Sequence, residues 1–284
     1  MAASGVVLTP LQRFFAQRQA KVGVALTATV VALALIGPLL LPWATGYTAT
    51  EFADQPFRLT GPFGTDNLGR DVLSRFLSGG LTLITLALLA TAVGIIVGMI
   101  FGTVAAYTGG TVDSILMRAN DVLLAIPQLV FALLAVTVLG PQGWVLVMVL
   151  GLTHAPRVAR VTRSAALNVI NEDYIAAAEM YAMPRWRIIV REILPNITGP
   201  LTVEAGLRLT YSIGGIASLS FLGLGLQPPA PDWGLMINEN RIALAVQPWG
   251  VMLPVLVIAL LTIGTNLIAD SIARTFASTK VSEA

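Results

Sequence analysis

Apolar residues in this chain come in long unbroken blocks, and polar residues gather into a few islands between them. Residues 22–43, 81–107 and 249–270 are apolar over the roughly 20 residues a helix needs to cross a bilayer, and 112–139 is a further span whose first turns hold Asp113, Arg118 and Asp121, expected near the cytoplasmic interface. Residues 144–152 form a shorter run that continues as a helix into APRVARVTR, and 198–226 is uncharged except for Glu204 and Arg208. The strands of a transmembrane β-barrel alternate apolar and polar residues, so continuous blocks predict helices instead. The expected fold is an all-α membrane protein with six transmembrane helices.

The islands divide the chain. Residues 1–21 form a cytoplasmic or interfacial lead, where Leu11, Phe14, Phe15 and Arg18 share the helical spacing of a segment lying on a membrane surface. The first span, 22–43, is too long for a signal-peptide core and no A-x-A site follows, which favours an uncleaved helix over a removed signal. Residues 44–80 are expected outside the cell; their string GPFGTDNLGRDVLSR brings Asp66, Arg70, Asp71 and Arg75 together. Asp71 and Arg75, four apart, can pair on one face of a surface helix. Residues 81–270 hold the other five spans and a polar stretch from 154 to 197, and 271–284 is a short tail. The polar stretch carries Arg157, Arg160, Arg163, Arg185, Arg187 and Arg191 with Glu172, Asp173, Glu179 and Glu192. Its centre predicts a helix of small residues, a break at Met183 and Pro184, and a basic helix. So much charge in so apolar a chain must face water or another protein.

Within the spans, Gly94, Gly98 and Gly102 recur every four residues and clear one helix face for close approach of a neighbour. Pro127 interrupts 112–139 and predicts a kink. Glu204 and Arg208 stand at i,i+4 in the order that favours pairing. They read either as a neutralised pair near the cytoplasmic end of their helix or as a pore-lining or gating pair. Beyond Ser220 and Phe221, Gly223 and Gly225 loosen the helix, and Pro228, Pro229 and Pro231 forbid its continuation. The segment with Asp232, Trp233, Glu239 and Arg241 is then either a surface loop or a dip toward a translocation path. Non-helical backbone at membrane depth must line a cavity or be buried in protein.

Composition and charge orient this picture. Hydrophobic residues are 56% of the 284 and charged residues 11%, against about 25% charged in soluble domains. The formal charge of +2 follows topology rather than a nucleic-acid footprint. Of the 17 basic residues, twelve fall in the lead, at Arg118, in the polar stretch and in the tail; Arg58, Arg70, Arg75 and Arg241 fall in the opposite loops, and Arg208 within a span. The positive-inside rule therefore places both termini in the cytoplasm of a multi-pass protein of the cell membrane.

The absence of cysteine excludes disulfides, thiolate catalysis and Cys-ligated metals. The single histidine, His154, reads as an interfacial loop residue rather than a ligand. No H-E-x-x-H, G-x-S-x-G or P-loop appears, so no catalytic or metal site is expected and the chain reads as a non-enzyme. A secondary carrier would show repeated halves and ionisable residues at the midplane, where only Glu204 and Arg208 qualify. What remains is a machine driven from outside the chain, with the polar stretch as its handle.

One string in that stretch, AAAEMYAMPRWRIIVREILPN, resembles the cytoplasmic EAA loop of ABC-importer permeases. The loop's pattern is E-A-A, three residues, Gly, about nine residues, then Leu-Pro. Ala177 and Ala178 match the two alanines, and Leu194 and Pro195 match the close. Ala176 stands where Glu is usual and Ala182 where Gly is usual. Without Gly a positive-φ turn is disfavoured at Ala182, which moves the expected break to Met183 and Pro184. PFGTDNLGRDVLSR, the stretch from ARVTR to DYIAAA, LSFLGLGLQPPAPDWG, and Asn266 with Asp270 are similar to the C-type permease subunit of dipeptide/oligopeptide/nickel importers. The likeness covers nearly the whole chain after about residue 20. It departs where an acid usually precedes the SLSFLG-like string, since Gly214, Gly215 and Ile216 stand there.

The resemblance implies a type I ABC-importer permease fold and a heterodimer with a second, homologous permease. It also implies two cytoplasmic ATPase subunits holding ATP and Mg, a substrate-binding protein docking outside, surrounding membrane lipid, and no cofactor on this chain. The ATPase-coupling residues it points to are Tyr174, Ala176, Ala177, Ala178, Glu179, Ala182, Pro184, Arg185 and Arg187, with residues 173–182 touching the ATPase. Candidate path or gate residues are Glu204, Arg208, Ser220, Phe221, Asp232 and Trp233. The implied cargo is di- or oligopeptide, with nickel or haem-like cargo as alternatives; one His and no Cys favour peptide. A stand-alone secondary carrier and a membrane scaffold binding a cytoplasmic partner are the competing readings.

Overall fold

The computed structural model of the chain describes residues 9–282; the first eight residues of the lead and the last two of the tail lie outside the described residues. In order, the helices are α1 (Pro10–Ala16), α2 (Arg18–Ala44), α3 (Val72–Thr108), α4 (Gly110–Ala125), α5 (Gln128–Leu139), α6 (Gly143–Ile170), α7 (Asp173–Met180) and α8 (Arg185–Ile188). A π-helical turn (Ile189–Ile193) leads to α9 (Leu194–Asn196), α10 (Thr198–Phe221), α11 (Trp233–Asn240), a 3-10 turn (Arg241–Ala243) and α12 (Trp249–Ser282). Among the described residues there is no strand, only two isolated bridges, Phe52 with Arg70 and Thr65 with Asp71.

Four helices, α2, α3, α6 and α12, are long and apolar enough to cross a membrane. The pair α4 and α5 meets the same criterion only when taken together, and the two are bent by 85°. Pro127 explains the bend: it has no N–H to continue the ladder and it forces Ile126 into an extended conformation (φ −85°, ψ 124°). The expected kink is thus a full break. α10, which carries Glu204 and Arg208, is not in the long apolar group.

Several boundaries differ from those the sequence suggested. α3 begins at Val72, inside the segment 44–80 and well before residue 81, because Asp71 caps it: the Asp71 carboxylate accepts from the Ser74 N–H (2.7 Å). α6 does run as a helix through APRVARVTR, as the sequence suggested, and extends further, to Ile170. His154, expected in an interfacial loop, is fully buried in the middle of α6. α10 stops at Phe221, and α12 continues past 270 through the tail to Ser282.

The close approaches between helices give their relative directions. A Cβ on Gly94 would lie 2.8 Å from His154 Cβ, one on Gly98 2.5 Å from Val158 Cβ, and one on Gly102 2.7 Å from Thr162 Cβ. Both sets of numbers rise together, so α3 and α6 run parallel with their backbones nearly touching. α2 runs antiparallel to α3, with Gly37 against Leu77 and Ala34 against Gly80. α10 runs antiparallel to α12 through Gly199 against Phe276, Gly206 against Ala269 and Thr210 bonded to Thr265 (3.1 Å). At the chain's start, Gln17 Nε2 donates to Ser271 O (3.2 Å) and Thr275 Oγ1 (3.0 Å) of α12. The amphipathic lead is therefore pinned to the far end of the chain, and both ends of the described chain lie at the same end of the bundle.

Two separate apolar cores result. The larger one joins α2, α3, α5, α6, α10, α11 and α12 around residues such as Leu83, Leu146, Ile213, Leu219 and Trp233. The smaller one sits beneath α7 and contains Ala106, Ala166, Ile175, Ala178, Ile188, Ile193 and Ile197.

Candidate functional site

The segment from α7 to α9 folds as a hairpin on its own small core. α7 turns Ile175 and Ala178 inward against Ala106 of α3 and Ala166 of α6. Ala178 is only 8% exposed, so it does not present itself to a partner as the motif suggested; it seats α7 on its own chain. The opposite face is open. Tyr174, Ala176 and Glu179 are exposed, Ala177 is half-buried, and Met180 (82%), Tyr181 (86%) and Trp186 (62%) stand out as an apolar knob. Tyr107 at the end of α3 donates its hydroxyl to Glu179 Oε1 (2.8 Å), which ties α7 to a second long helix. The Tyr174 hydroxyl is held above the ordinary phenol range, first by partial desolvation and then by the Glu172 and Glu192 carboxylates.

The turn after α7 corrects the sequence reading. Ala182 adopts φ +54°, the left-handed conformation disfavoured for it, and Met183 and Pro184 do not carry the reversal. Two bonds define the motif: Ala182 N–H donates to Glu179 O (2.9 Å) and Met183 N–H to Ala178 O (3.1 Å). This is a Schellman end, with alanine at the position glycine usually holds. Pro184, exposed, then caps α8, and exposed Arg185 and half-buried Arg187 follow it. Pro195 has no N–H to continue the α ladder, and the preceding turn, Ile189–Ile193, widens to π geometry.

Polar contacts carry the hairpin's connections into the bundle. Arg163 of α6 grips Asp113 of α4 through two bonds of 2.5 Å, Arg160 pairs with Asp121 (2.6 Å), and Asn120 Nδ2 donates to Pro156 O (2.8 Å). Together with the glycine contacts of α3 they bind α3, α4 and α6 into one body beneath which α7 hangs.

Glu204 and Arg208 form an ion pair (2.8 Å) with both residues buried, and the Arg208 guanidinium lies 5.0 Å from the centre of the Tyr211 ring. The pair is enclosed by this chain's helices. One turn on, Ser212 Oγ meets His154 Nε2 (3.0 Å) and accepts from Thr91 Oγ1 (3.0 Å), while Gln128 Nε2 stands 3.5 Å from His154 Nδ1. Sequence reasoning missed Thr91, Gln128 and Ser212. Nothing in the sequence sets these three apart from the other uncharged polar residues of their blocks, such as Thr85, Asn120 and Thr210, and only packing shows that they converge.

At the other end of the bundle, the GTDNLGRDVLSR string builds a buried charge cluster. Asp66 Oδ2 pairs with Arg70 Nε (2.7 Å) and Arg75 Nη1 (2.7 Å), and Glu239 of α11 pairs with Arg75 and, at 3.2 Å, with Arg70 Nη2. The expected Asp71–Arg75 pair does not form, since Asp71 is occupied as the α3 cap. Gly69, at φ +81°, is required there: a Cβ would lie 2.0 Å from Asp54 O.

Residues 222–232 after α10 are non-helical, and from Trp233 the segment forms α11, which docks on α3. Trp233 is fully buried, donates from Nε1 to Phe76 O (2.8 Å) and stacks on the Phe76 ring at 5.9 Å. Asp232 caps α11 by accepting from the Leu235 N–H (2.8 Å). Burial pushes its carboxyl up, opposed by the hydrogen bonds it accepts and by the Arg75 guanidinium. Ser220 is buried against Gly225 and Gly234, and partly exposed Phe221 lies beneath Arg241 (5.8 Å). Expected on a path or gate, Ser220, Asp232 and Trp233 are instead enclosed within the chain.

These features agree with what the chain is similar to. A family profile described as the inner membrane component of binding-protein-dependent transport systems matches residues 94–280. The dipeptide transport system permease protein DppC of Alkalihalophilus pseudofirmus is 33% identical, over 88% of this chain and 83% of that protein. The di/tripeptide transport system permease protein DppC of Pseudomonas aeruginosa is 34% identical, over 82% and 80%. The oligopeptide transport system permease protein OppC of Bacillus subtilis is 29% identical, over 92% and 85%. The chain is a multi-pass membrane protein and belongs to the family of inner membrane components of binding-protein-dependent transport systems.

Proposed function

We propose that this chain is a permease subunit of an ATP-driven importer of short peptides, crossing the membrane six times with both ends in the cytoplasm. The observation that carries this reading is the hairpin of α7 and α8: an exposed apolar knob mounted on the shared body of α3, α4 and α6. Peptide as cargo is supported by the relatives named for di-, tri- and oligopeptide transport. Six crossings are supported by helix direction. Because α3 and α6 run parallel, the chain between them must return across the bundle, and α4 with α5 is the only segment available. α10 follows α12 in antiparallel contact from Gly199 to Thr210, which adds a further crossing.

The chain itself performs no catalysis in this reading; ATP and Mg are bound by two partner ATPases, and a second permease and an external binding protein complete the machine. Tyr174, Ala176, Ala177, Met180 and Tyr181 meet the ATPase. Closure of the ATPases displaces α7. Ile175, Ala178 and the Tyr107–Glu179 bond pass that displacement to α6 and α3, which the glycine contacts oblige to move together. Asp113 and Asp121 take α4 along with them. α4 ends at the break before Pro127, so the motion is expressed there, as a change in angle against α5.

The test is reconstitution with the cognate ATPases, second permease and binding protein in proteoliposomes. ATP-dependent uptake of a dipeptide is expected, and Ala177→Glu, on the open face of α7, is expected to abolish uptake while the assembled complex still hydrolyses ATP. Gradient-driven peptide transport by the purified chain alone, or normal uptake by the variant, overturns the reading.

A further inference from the structure

The 85° break between α4 and α5 lies at mid-length of the bundle, on an exposed face of the chain. α4 ends at Ala125 and α5 begins at Gln128, and Gln128 stands beside His154, in the middle of α6 and level with Gly94 of α3. A cavity of about 490 Å³ lies over this break, between α3, α4, α5 and α6. That is within the range small-molecule sites occupy.

The wall of the cavity is mostly apolar, but its rim is not. Pro127 and Pro156 both line it, and neither has an N–H to give. α5 starts anew at Gln128, so the Gln128 and Leu129 N–H groups do not close on Leu124 O and Ala125 O, and these carbonyls in the last turn of α4 lack helical donors. Pro156 leaves the Leu152 carbonyl without its donor in the same way. Asn120, 8% exposed, spends its Nδ2 on Pro156 O, while its side-chain carbonyl and that of Gln128 meet no protein donor among the described residues. At the edge stands Arg157, exposed and without an acidic partner among the described residues.

Backbone carbonyls at membrane depth are tolerated where water or another donor meets them, and an acyl chain offers none. A peptide main chain does. It brings N–H groups and an ammonium for the carbonyl rim and a carboxylate for the guanidinium, while an apolar wall takes its side chains without selecting among them. Broken helices that present their ends near mid-bilayer are where transporters commonly hold polar cargo.

We propose that this cavity is where the chain holds the main chain of a short peptide in transit. The peptide's N–H and ammonium groups face the carbonyls of Leu124, Ala125, Leu152, Asn120 and Gln128, and its carboxylate faces Arg157. This rests on the importer reading above and adds to it the part of the substrate that is recognised.

The experiment uses the full complex in proteoliposomes with saturating loaded binding protein. Uptake of a dipeptide and of its C-terminal amide is compared for the wild type, Ala119→Phe and Arg157→Gln, each peptide scored as the ratio of variant to wild type. Ala119 lines the cavity and is exposed, so a phenyl ring there fills the space. Ala119→Phe should abolish uptake of both peptides while binding-protein-stimulated ATP hydrolysis stays at the wild-type rate. Arg157→Gln should lower uptake of the free-carboxylate peptide about tenfold relative to the amide, the scale of one charge-assisted hydrogen bond. Wild-type ratios for both peptides in both variants overturn the proposal. So does loss of a co-purifying phospholipid from Ala119→Phe, read by mass spectrometry, with uptake unchanged, since the cavity is then a lipid site. If the wild-type complex moves no peptide, the importer reading itself fails, and this proposal falls with it.

Discussion

Replacing Ala182 with glycine should stiffen the hairpin of α7 and α8. Ala182 holds φ +54° at the end of α7, where its own N–H and that of Met183 close the Schellman bonds. A residue with a Cβ pays about 1–2 kcal/mol to occupy the left-handed region. Glycine removes that cost but returns about 0.4–1 kcal/mol through the greater freedom of the open chain. The net is about 0.5–1 kcal/mol in favour of the closed turn, which lowers the local opening equilibrium about two- to fivefold. Ala182 is exposed, so no packing change offsets this. The assay is amide hydrogen exchange of the purified protein in nanodiscs, followed over residues 177–187, where the Met183 N–H reports the turn directly. Exchange should slow by that factor in Ala182→Gly and quicken in Ala182→Val, whose branched side chain tolerates positive φ least. Unchanged or faster exchange in the glycine variant would refute the strained turn, and with it the assignment of the reversal to Ala182.

Gly98→Val would place a Cβ 2.5 Å from Val158 Cβ and 2.6 Å from Ala155 O. Overpacking of this kind costs about 1–3 kcal/mol, read as a lower thermal unfolding midpoint. Gly214→Ala, with nothing within 4 Å of the new Cβ, should leave the midpoint in place. Asp66→Ala strips Arg75 of one buried partner and should destabilise by about 3–5 kcal/mol. Adding Arg75→Met to it should cost less than the two single changes summed, and strict additivity in thermal melts would count against the cluster. Ala178→Glu buries a charge beneath α7 and should open the hairpin to limited proteolysis, whereas Ala176→Glu, on the open face, should leave the cleavage pattern unchanged.

The division of the chain into apolar helices and a polar stretch between them was legible from composition and period, because crossing a bilayer demands long apolar runs and each run announces itself. Glycines repeating every four residues announced a close helix contact, and Pro127 announced a break, since both effects arise from the residue's own chemistry. The motif also singled out a segment that folds as a hairpin with an open apolar face. Which face of that segment points outward was not legible. Ala177 and Ala178 are equivalent in the string, yet one is half-buried and the other seats the helix, and that depends on where Ala106 and Ala166 happen to lie.

The same holds for the charges. Asp71 and Arg75 have the spacing of a pair, but a helix start at Val72 takes Asp71 as its cap, and Arg75 goes to Asp66 and to Glu239, far away in sequence. His154 looked like a loop residue because polar residues follow it, and only the parallel packing of α3 and α6 buries it beside Ser212. Ala182 shows the limit from the other side: local preference argued against positive φ, and the two Schellman bonds, with Met183 and Ala178 meeting in the small core, outweighed it. Sequence alone determined the helical, apolar character of the long blocks, because this follows from each residue's affinity for water or lipid. Tertiary structure decided the pairing of Arg75 and Arg70 with Glu239, the outward face of α7 and the cavity at the α4–α5 break, because each depends on residues brought together from separate helices, whereas the Glu204–Arg208 pair was already legible from its i,i+4 spacing.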